Sequence, residues 1–405
     1  MPPLPQPTVR TLLFWVLGAL VLLLGIGLGN QDTVWPALFL LALPVVALLA
    51  LLVLRPRFVL ERSVTPPVVG VREPATVQVL ATAVRPSPGG NVVAEDDPGS
   101  LLGGPHHAHL HADHAGARTE TTYSVRPRRR GRHTLDGFRI RFTDILGFWV
   151  HTVRVAQPTE LVVTPAVVPL PPSRAAAYGV TGETPIPQTA VSGPDDVLVR
   201  EYQARDDVRR IHWPSTARSG TLMVRREEAA WDPTAWVLLD SRLGVHPASR
   251  DERVTFEWLV SAAASIGLRL LSDGYTVTLI DADGSRHEVS SDRVGASAAW
   301  LDPLVDATVS HAPDLHEATV WMAQAHSENR IVALLGGLDR GTADLLAATT
   351  ASRHERVALV MAPDADARPG FEDGRTVLVD HGWEVREVDA TSDLAHAWAP
   401  EGVAR

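Results

Sequence analysis

Two uncharged apolar runs open the chain, residues 12–29 and 34–54, and only Asn30, Gln31, Asp32 and Thr33 separate them. At about 1.5 Å of rise per residue each run reaches roughly the 30 Å of a bilayer's hydrocarbon core, and both exceed the roughly 7–15 residues of a secretory signal's apolar stretch. Four residues leave room only for a reversal. The pair therefore predicts an antiparallel helical hairpin in a membrane; the alternative, two buried helices of a soluble domain, is disfavoured because fully apolar helices of this length are rare there. Pro44 predicts a kink in the second helix, and Trp15 and Trp35 are candidate interfacial rings. Arg10 precedes the first run, Arg55, Arg57 and Arg62 follow the second, and the connection carries Asp32 and no basic residue. Because cytoplasmic flanks carry the excess of positive charge, this asymmetry predicts a cell (inner or plasma) membrane protein with its N-terminus and everything beyond the hairpin in the cytoplasm.

The chain's 405 residues exceed one domain plus an anchor. All 37 basic residues are arginine and there is no cysteine, so the chain has no P-loop lysine, no Schiff-base amine, no thiol nucleophile, no disulfide and no thiolate zinc site. Any ATP-driven step must come from a partner. A net charge of −10 argues against nucleic acid as that partner, since binding it requires a basic surface.

Composition and periodicity divide the chain into residues 1–57 (the transmembrane hairpin), 58–172, 173–232 and 233–405. In the second segment, Ala75, Val77 and Val79 alternate with Thr76, Gln78 and Leu80, and Phe138, Ile140 and Phe142 with Arg139 and Arg141. Period two, with Pro and Gly between short strands and no amphipathic helix, predicts an immunoglobulin-like β-sandwich. Within it, His106, His107, His109, His111 and His114 lie beside Asp113. If this were a strand, residues 107, 109 and 111 would share a face and suggest a metal site, but the flanking Pro-Gly sequences favour a histidine-rich loop. No metal is assigned.

The third segment carries Arg200, Glu201, Tyr202, Asp206, Asp207, Arg209 and Trp213, then Thr216 and Arg218. Arginine forks match carboxylates, so Glu201, Asp206 and Asp207 are expected to fix Arg209 and Arg218 against the ring of Trp213. This stretch resembles the signature of domain-of-unknown-function family 58. Upstream, Arg130-Gly131-Arg132 and Asp144-Ile145-Leu146-Gly147-Phe148 are similar to that family's arginine-glycine and aspartate-x-x-glycine-phenylalanine elements. The chain departs from the pattern at Ala204-Arg205, where the family commonly has Pro-Gly, and at Pro214, where it commonly has lysine. The resemblance implies a membrane hairpin, a β-domain, this motif and a C-terminal von Willebrand factor A-like (Rossmann-like) α/β domain. It also implies a MoxR-type AAA+ ATPase as partner. The motif is either a partner-docking surface or a structural bracket between domains.

In the last segment, buried-strand patterns at 235–240, 275–280, 331–335, 357–361 and 383–388 alternate with helical stretches at 252–272, 296–305, 315–325 and 342–351, which predicts a mostly parallel sheet. Open α/β sheets bind ligands beyond the carboxyl ends of their strands, where Asp240 falls. The von Willebrand resemblance implies an adhesion site there, built from an aspartate and two serines at alternate positions, because Mg²⁺ takes hard oxygen ligands. The positions are held by Asp240, Arg242 and Gly244, so both hydroxyls are missing and a degenerate site without metal is expected, with a guanidinium in place of the cation. Strand-end acids also cap turns, which is the other reading of Asp240, Asp281 and Asp339. The expectation is thus a non-catalytic adaptor without cofactor, working with the ATPase. The alternatives are a metal-dependent adhesion-type module that borrows the hydroxyl of Ser241 or Thr216, and a hydrolase that pairs Asp240 with His212 or His246.

Overall fold

A computed structural model describes residues 4–53, 57–86, 91–99, 102–111, 113–155, 157–172, 199–201, 211, 213–225, 234–246, 252–324, 329–349, 355–363 and 365–399. Contacts divide the chain into two units, Met1–Val167 with Leu301–Thr308, and Val168–Trp300 with Val309–Arg405.

The first unit begins with a short strand, β1 (Gln6–Pro7), and two long helices, α1 (Val9–Gly27) and α2 (Gln31–Val53). α2 continues through Pro36 and Pro44. The apolar windows of α1 and α2 are only 17% and 22% buried, whereas a third helix of suitable length and composition, Val254–Ser272, is 61% buried. The first two present apolar side chains outward, as a lipid-facing helix does, and the third is wrapped by its own domain. The chain thus has two N-terminal helices long and apolar enough to anchor it in a membrane.

Among the described residues ten strands follow: β2 (Arg57–Thr65), β3 (Val68–Gly70), β4 (Ala75–Arg85), β5 (Asn91–Asp96), β6 (His106–His109), β7 (Arg118–Val125), β8 (Gly131–Leu135), β9 (Arg139–Thr143), β10 (Trp149–Arg154) and β11 (Thr159–Thr164). They form sheets of order β1-β10-β9-β5-β6, β2-β4-β7 and β3-β11-β8. Alternation decides which side chains go in: Ala75, Val77, Val79, Ala81 and Ala83 of β4 are buried and meet Ile140, Phe142, Leu161 and Val163 in one core. That core also holds a charge. Arg62 donates to Asp96 at 2.7 Å with both side chains buried, and the Tyr123 hydroxyl donates to the second Asp96 oxygen at 2.5 Å. Burial raises the Asp96 carboxyl and the Tyr123 phenol above their ordinary values. Arg62, read from the sequence as a membrane-flanking charge, is thus an interior residue of the β-rich region.

The histidine run, expected as a loop, is partly a strand. β6 pairs antiparallel with β5, placing His106 opposite Asp96, and the His106 ring stacks on Tyr123 at 4.1 Å between centroids. His109 lies 3.3 Å from Asn91 Oδ1 and His111 lies 3.4 Å from Thr119 Oγ1, so these rings have separate partners.

In the second unit, β12 (Val199–Glu201) and β13 (Met223–Arg225) flank α3 (Trp213–Ser219). A six-stranded sheet follows, built from β14 (Thr234–Leu239), β15 (Thr276–Asp281), β16 (Arg286–Val289), β17 (Asn329–Leu335), β18 (Arg356–Met361) and β19 (Glu384–Val388), in the order β16-β15-β14-β17-β18-β19. Every pairing is parallel except β15–β16. The intervening helices are α4 (Glu252–Ser272), α5 (Ala296–Val305), whose residues from Leu301 on are assigned to the first unit, α6 (His316–Ala323), α7 (Arg340–Ala348), α8 (Arg368–Asp380) and α9 (Leu394–Trp398). Ala235, Val237, Leu238 and Leu239 of β14 are all buried, as a parallel strand covered on both faces requires.

Candidate functional site

The strand order locates the site. From β14 the chain crosses through α4 to β15 on one side and later returns as β17 on the other, so the connections diverge at the carboxyl ends of β14 and β17. Helices that leave a sheet in opposite directions open a crevice at such a switch point. A cavity of about 390 Å³ lies there, lined among others by Arg242, Gly336, Asp339, Thr342, Met361 and Ala367.

Asp240, the residue after β14, is fully buried beside it. Arg242 Nε donates to Asp240 Oδ1 at 2.8 Å and Arg242 Nη2 to Oδ2 at 2.9 Å, a bidentate fork; the backbone N–H groups of Arg242 and Gly336 complete the shell at 3.2 and 3.1 Å. The third guanidinium nitrogen, Nη1, donates to Thr342 Oγ1 at 3.2 Å. Burial is the largest influence on Arg242 and works against its charge. The hydrogen bonds and charge of Asp240, with Asp339 and Asp314 beyond, outweigh it and hold the guanidinium above its ordinary value. The carboxylate is therefore engaged on both oxygens, and the group it turns toward the cavity is a fixed cation.

His246 lies behind this pair. Its Nε2 is 3.0 Å from the backbone oxygen of Asp240, which can only accept, so Nε2 is the donor there, and Nδ1 lies 3.2 Å from Thr255 Oγ1. The imidazole thus contacts the Asp240 carbonyl and not its carboxylate. A Cβ on Gly336 would stand 2.6 Å from His246 Cε1, so the β17 turn closes over the ring only because that position has no side chain. Ser241 Oγ accepts from Ala282 N at 3.3 Å and lies 3.5 Å from Ser310 Oγ; Thr216 Oγ1 accepts from Met223 N at 2.9 Å. Both hydroxyls proposed as substitute ligands are tied to these local partners. Gly244 lines the cavity from the turn after Arg242.

The other strand-end acids serve as caps. Asp281 Oδ1 accepts from Asp283 N at 3.1 Å and Ser285 N at 2.9 Å, and Asp339 accepts from Thr342 N at 2.7 Å as the N-cap of α7. That backbone hydrogen bond is the main cause holding the Asp339 carboxyl below the usual carboxylate range.

Of the arginine-rich motif, Tyr202, Asp206, Asp207, Arg209 and His212 lie outside the described residues. Arg200 and Glu201 lie on β12, which pairs antiparallel with β13, opposite Val224 and Met223; Ile211 bridges Val224 from elsewhere in the motif. Trp213 opens α3 with its side chain 67% exposed, and Arg218, also exposed, lies in the last turn of the helix. Five residues apart on a 3.6-residue repeat, the two side chains lie on different faces of α3. The features that spacing did not signal are the distant ones, Thr342 and Gly336, which reach the site through the return of β17 beside β14.

Among solved structures, similarities are partial. The CARDB domain of a Pyrococcus furiosus protein, solved in complex with di-metal ions, aligns at 18% identity over 27% of this chain and 88% of its own, with a TM-score of 0.18. A beta-glucosidase from Listeria innocua aligns at 14% identity over 27% of this chain and 16% of its own (TM-score 0.16). The alkylpurine DNA glycosylase AlkC of Pseudomonas fluorescens, bound to DNA with an abasic site analog, aligns at 17% over 34% and 39% (TM-score 0.17). At these scores none bears on fold or function. No curated protein matches the chain. Residues 198–396, which contain the motif, the Asp240–Arg242 pair and the whole α/β sheet, match the family described as "Protein of unknown function DUF58", and it is to this family that this region of the chain belongs.

Proposed function

We propose that this chain is a membrane-anchored, non-catalytic adaptor that presents its α/β domain to a MoxR-type AAA+ ATPase. In this reading the β-rich region is an immunoglobulin-like spacer, the α/β domain is von Willebrand factor A-like, and both face the cytoplasm from the cell membrane. The observation that carries the proposal is the bidentate closure of Asp240 by Arg242 at the switch-point crevice. A carboxylate locked by a guanidinium is spent as a general base and as a hard ligand for Mg²⁺, whereas a buried, pre-oriented cation at a cavity mouth suits recognition of a partner's carboxylate or carbonyl groups. The exposed Trp213 adds an aromatic side chain of the kind enriched at protein interfaces. The choice of an AAA+ ATPase as partner rests on the family resemblance.

The test is affinity purification of the full chain from native membranes with ATP, with ADP and without nucleotide, comparing wild type with Trp213→Ala and Arg218→Ala and identifying partners by mass spectrometry. Both positions are exposed, so the variants are expected to fold. Co-purification of an AAA+ ATPase that depends on nucleotide and falls at least about thirtyfold in Trp213→Ala, the size of an interface hot spot, supports the reading. Absence of any such ATPase in every nucleotide state would refute the partner.

A further inference from the structure

The turn that joins β9 to β10 reverses the usual chemistry of turns. Gly147 N donates to Asp144 O at 3.0 Å, closing the turn on residues 144–147, and Asp144 accepts from Leu146 N at 3.1 Å and Trp149 N at 2.6 Å through its carboxylate. Gly147 has φ 73°, a left-handed conformation that suits glycine. The corner positions of such turns ordinarily carry Pro, Asn, Asp, Ser or Gly, which pre-set or tolerate the turn's backbone angles or hydrogen-bond their own backbone. Here they are Ile145 and Leu146, whose side chains are 69% and 44% exposed.

The same turn is fastened to the start of α1. Thr8 N donates to Phe148 O at 2.8 Å, Thr8 Oγ1 donates to Gly147 O at 2.7 Å, and the Thr11 hydroxyl donates to Phe148 O. Phe14 packs edge-on to Phe148 at 4.8 Å between centroids, and Trp15 to Trp149 at 6.1 Å. Trp149 Nε1 reaches into α2 and donates to Pro44 O at 2.8 Å. The contacts on α1 run from Thr8 to Trp15, about 10 Å along a helix axis at 1.5 Å per residue. The two apolar corner residues are thus held beside the first two turns of a helix whose Val9, Leu13 and Val16 are themselves exposed and apolar.

We propose that the Ile145–Leu146 turn is a third membrane contact, its two side chains seated at the headgroup–acyl boundary beside α1. Interfacial apolar segments lie about 5–10 Å into that boundary, which matches the stretch of α1 to which the turn is bound. Arg10, whose guanidinium would stand 2.9 Å from a Cβ on Gly147, lies beside the turn at the depth where a cation meets lipid phosphate. The contact fixes the β-rich region to the bilayer as a rigid body, where the hairpin alone would only tether it. The inference rests on the hairpin being in the membrane, and its test separates the two.

Because the chain has no cysteine, single-cysteine variants can be spin-labelled one at a time: Ile145→Cys, Leu146→Cys, Leu20→Cys within α1 and Val294→Cys, whose side chain is 99% exposed in the α/β domain. The full-length variants are reconstituted in vesicles of phosphatidylethanolamine and phosphatidylglycerol, and collision with oxygen is compared with collision with a water-soluble nickel chelate. Labels at 145 and 146 are expected to favour oxygen over the chelate, as at 20, with the opposite preference at 294. If 20 favours oxygen while both 145 and 146 behave like 294, the turn is in water and the proposal is overturned with the anchor intact. If 20 also behaves like 294, the anchor itself fails and the proposal with it.

Discussion

At the scale of single residues, the Asp240–Arg242 pair couples stability to the site. Both side chains are buried and the fork satisfies each carboxylate oxygen, so removing one partner leaves the other charge uncompensated. Arg242→Met is expected to cost about 3–5 kcal/mol, and the double variant Asp240→Asn with Arg242→Met less than the single one, because the stranded charge is gone. The unfolding midpoint in detergent, followed by tryptophan fluorescence, measures these and the Asp240→Asn single variant; a double loss equal to the sum of the two single losses would show that the pair is not coupled. Asp339 gives a pH signature. Its folded value is depressed, so its contribution is complete above the unfolded carboxylate value of about 3.9 and is lost as pH falls through the folded value. Asp339→Asn, which keeps a cap acceptor but cannot ionise, is expected to flatten that acid limb of the stability profile, while Asp339→Ala costs about 1 kcal/mol at neutral pH. Asp240 and Arg242 are legible as a unit because only Ser241 lies between them. Gly336 and Thr342 are not, since only the topology brings residues about a hundred positions away to the same crevice.

At the scale of elements, what the sequence reveals follows the strength of the apolar signal. The helices expected at 252–272 and 296–305 form with those bounds because apolar residues dominate them and little else competes. β16 was missed: its Arg286, His287 and Glu288 are exposed on an edge strand, where charge protects against further pairing, and only Val289 turns inward. α8 was missed because Pro369, Gly370 and Gly374 lower its intrinsic helix propensity; Phe371, Gly374 and Leu378 reach the core and tertiary packing decides. The histidine run of β6 lacks a strand signal for a similar reason, since its partner β5 and the stacked Tyr123 supply what its own sequence lacks. Packing between elements gives a test. Gly267 of α4 faces the indole of Trp300, and a Cβ there would collide with Trp300 Cε2 and Cζ2. The ring is fully buried and its Nε1 donates to Ala263 O at 3.2 Å, so it has little room to withdraw. Gly267→Ala is therefore expected to lower stability by about 1–3 kcal/mol, despite alanine's better helix propensity, and Trp300→Leu in the same chain to return part of the loss. A stabilised Gly267→Ala would mean that the contact is looser than the geometry requires.

At the scale of the whole molecule, the two apolar helices decide where everything else resides, and their orientation turns on few charges. Arg62 is buried against Asp96 in the folded β-rich region, yet a membrane protein is oriented while its chain is still unfolded, so Arg62 still counts with Arg10, Arg55 and Arg57 at the moment that matters. Opposing them across the hairpin is a connection with Asp32 and no basic residue. The expected topology therefore has residues 30–33 outside and both flanks inside. In the cysteine-free chain, Gln31→Cys should react with a membrane-impermeant maleimide in intact cells, whereas Val294→Cys should react only after the membrane is opened. Replacing Arg10, Arg55 and Arg57 together with glutamate removes most of the asymmetry and should make part of the population label at 294 without permeabilisation. Labelling of Val294→Cys in intact cells of the unmodified orientation would place the α/β domain outside, away from ATP, and would remove the basis for an ATPase acting on it.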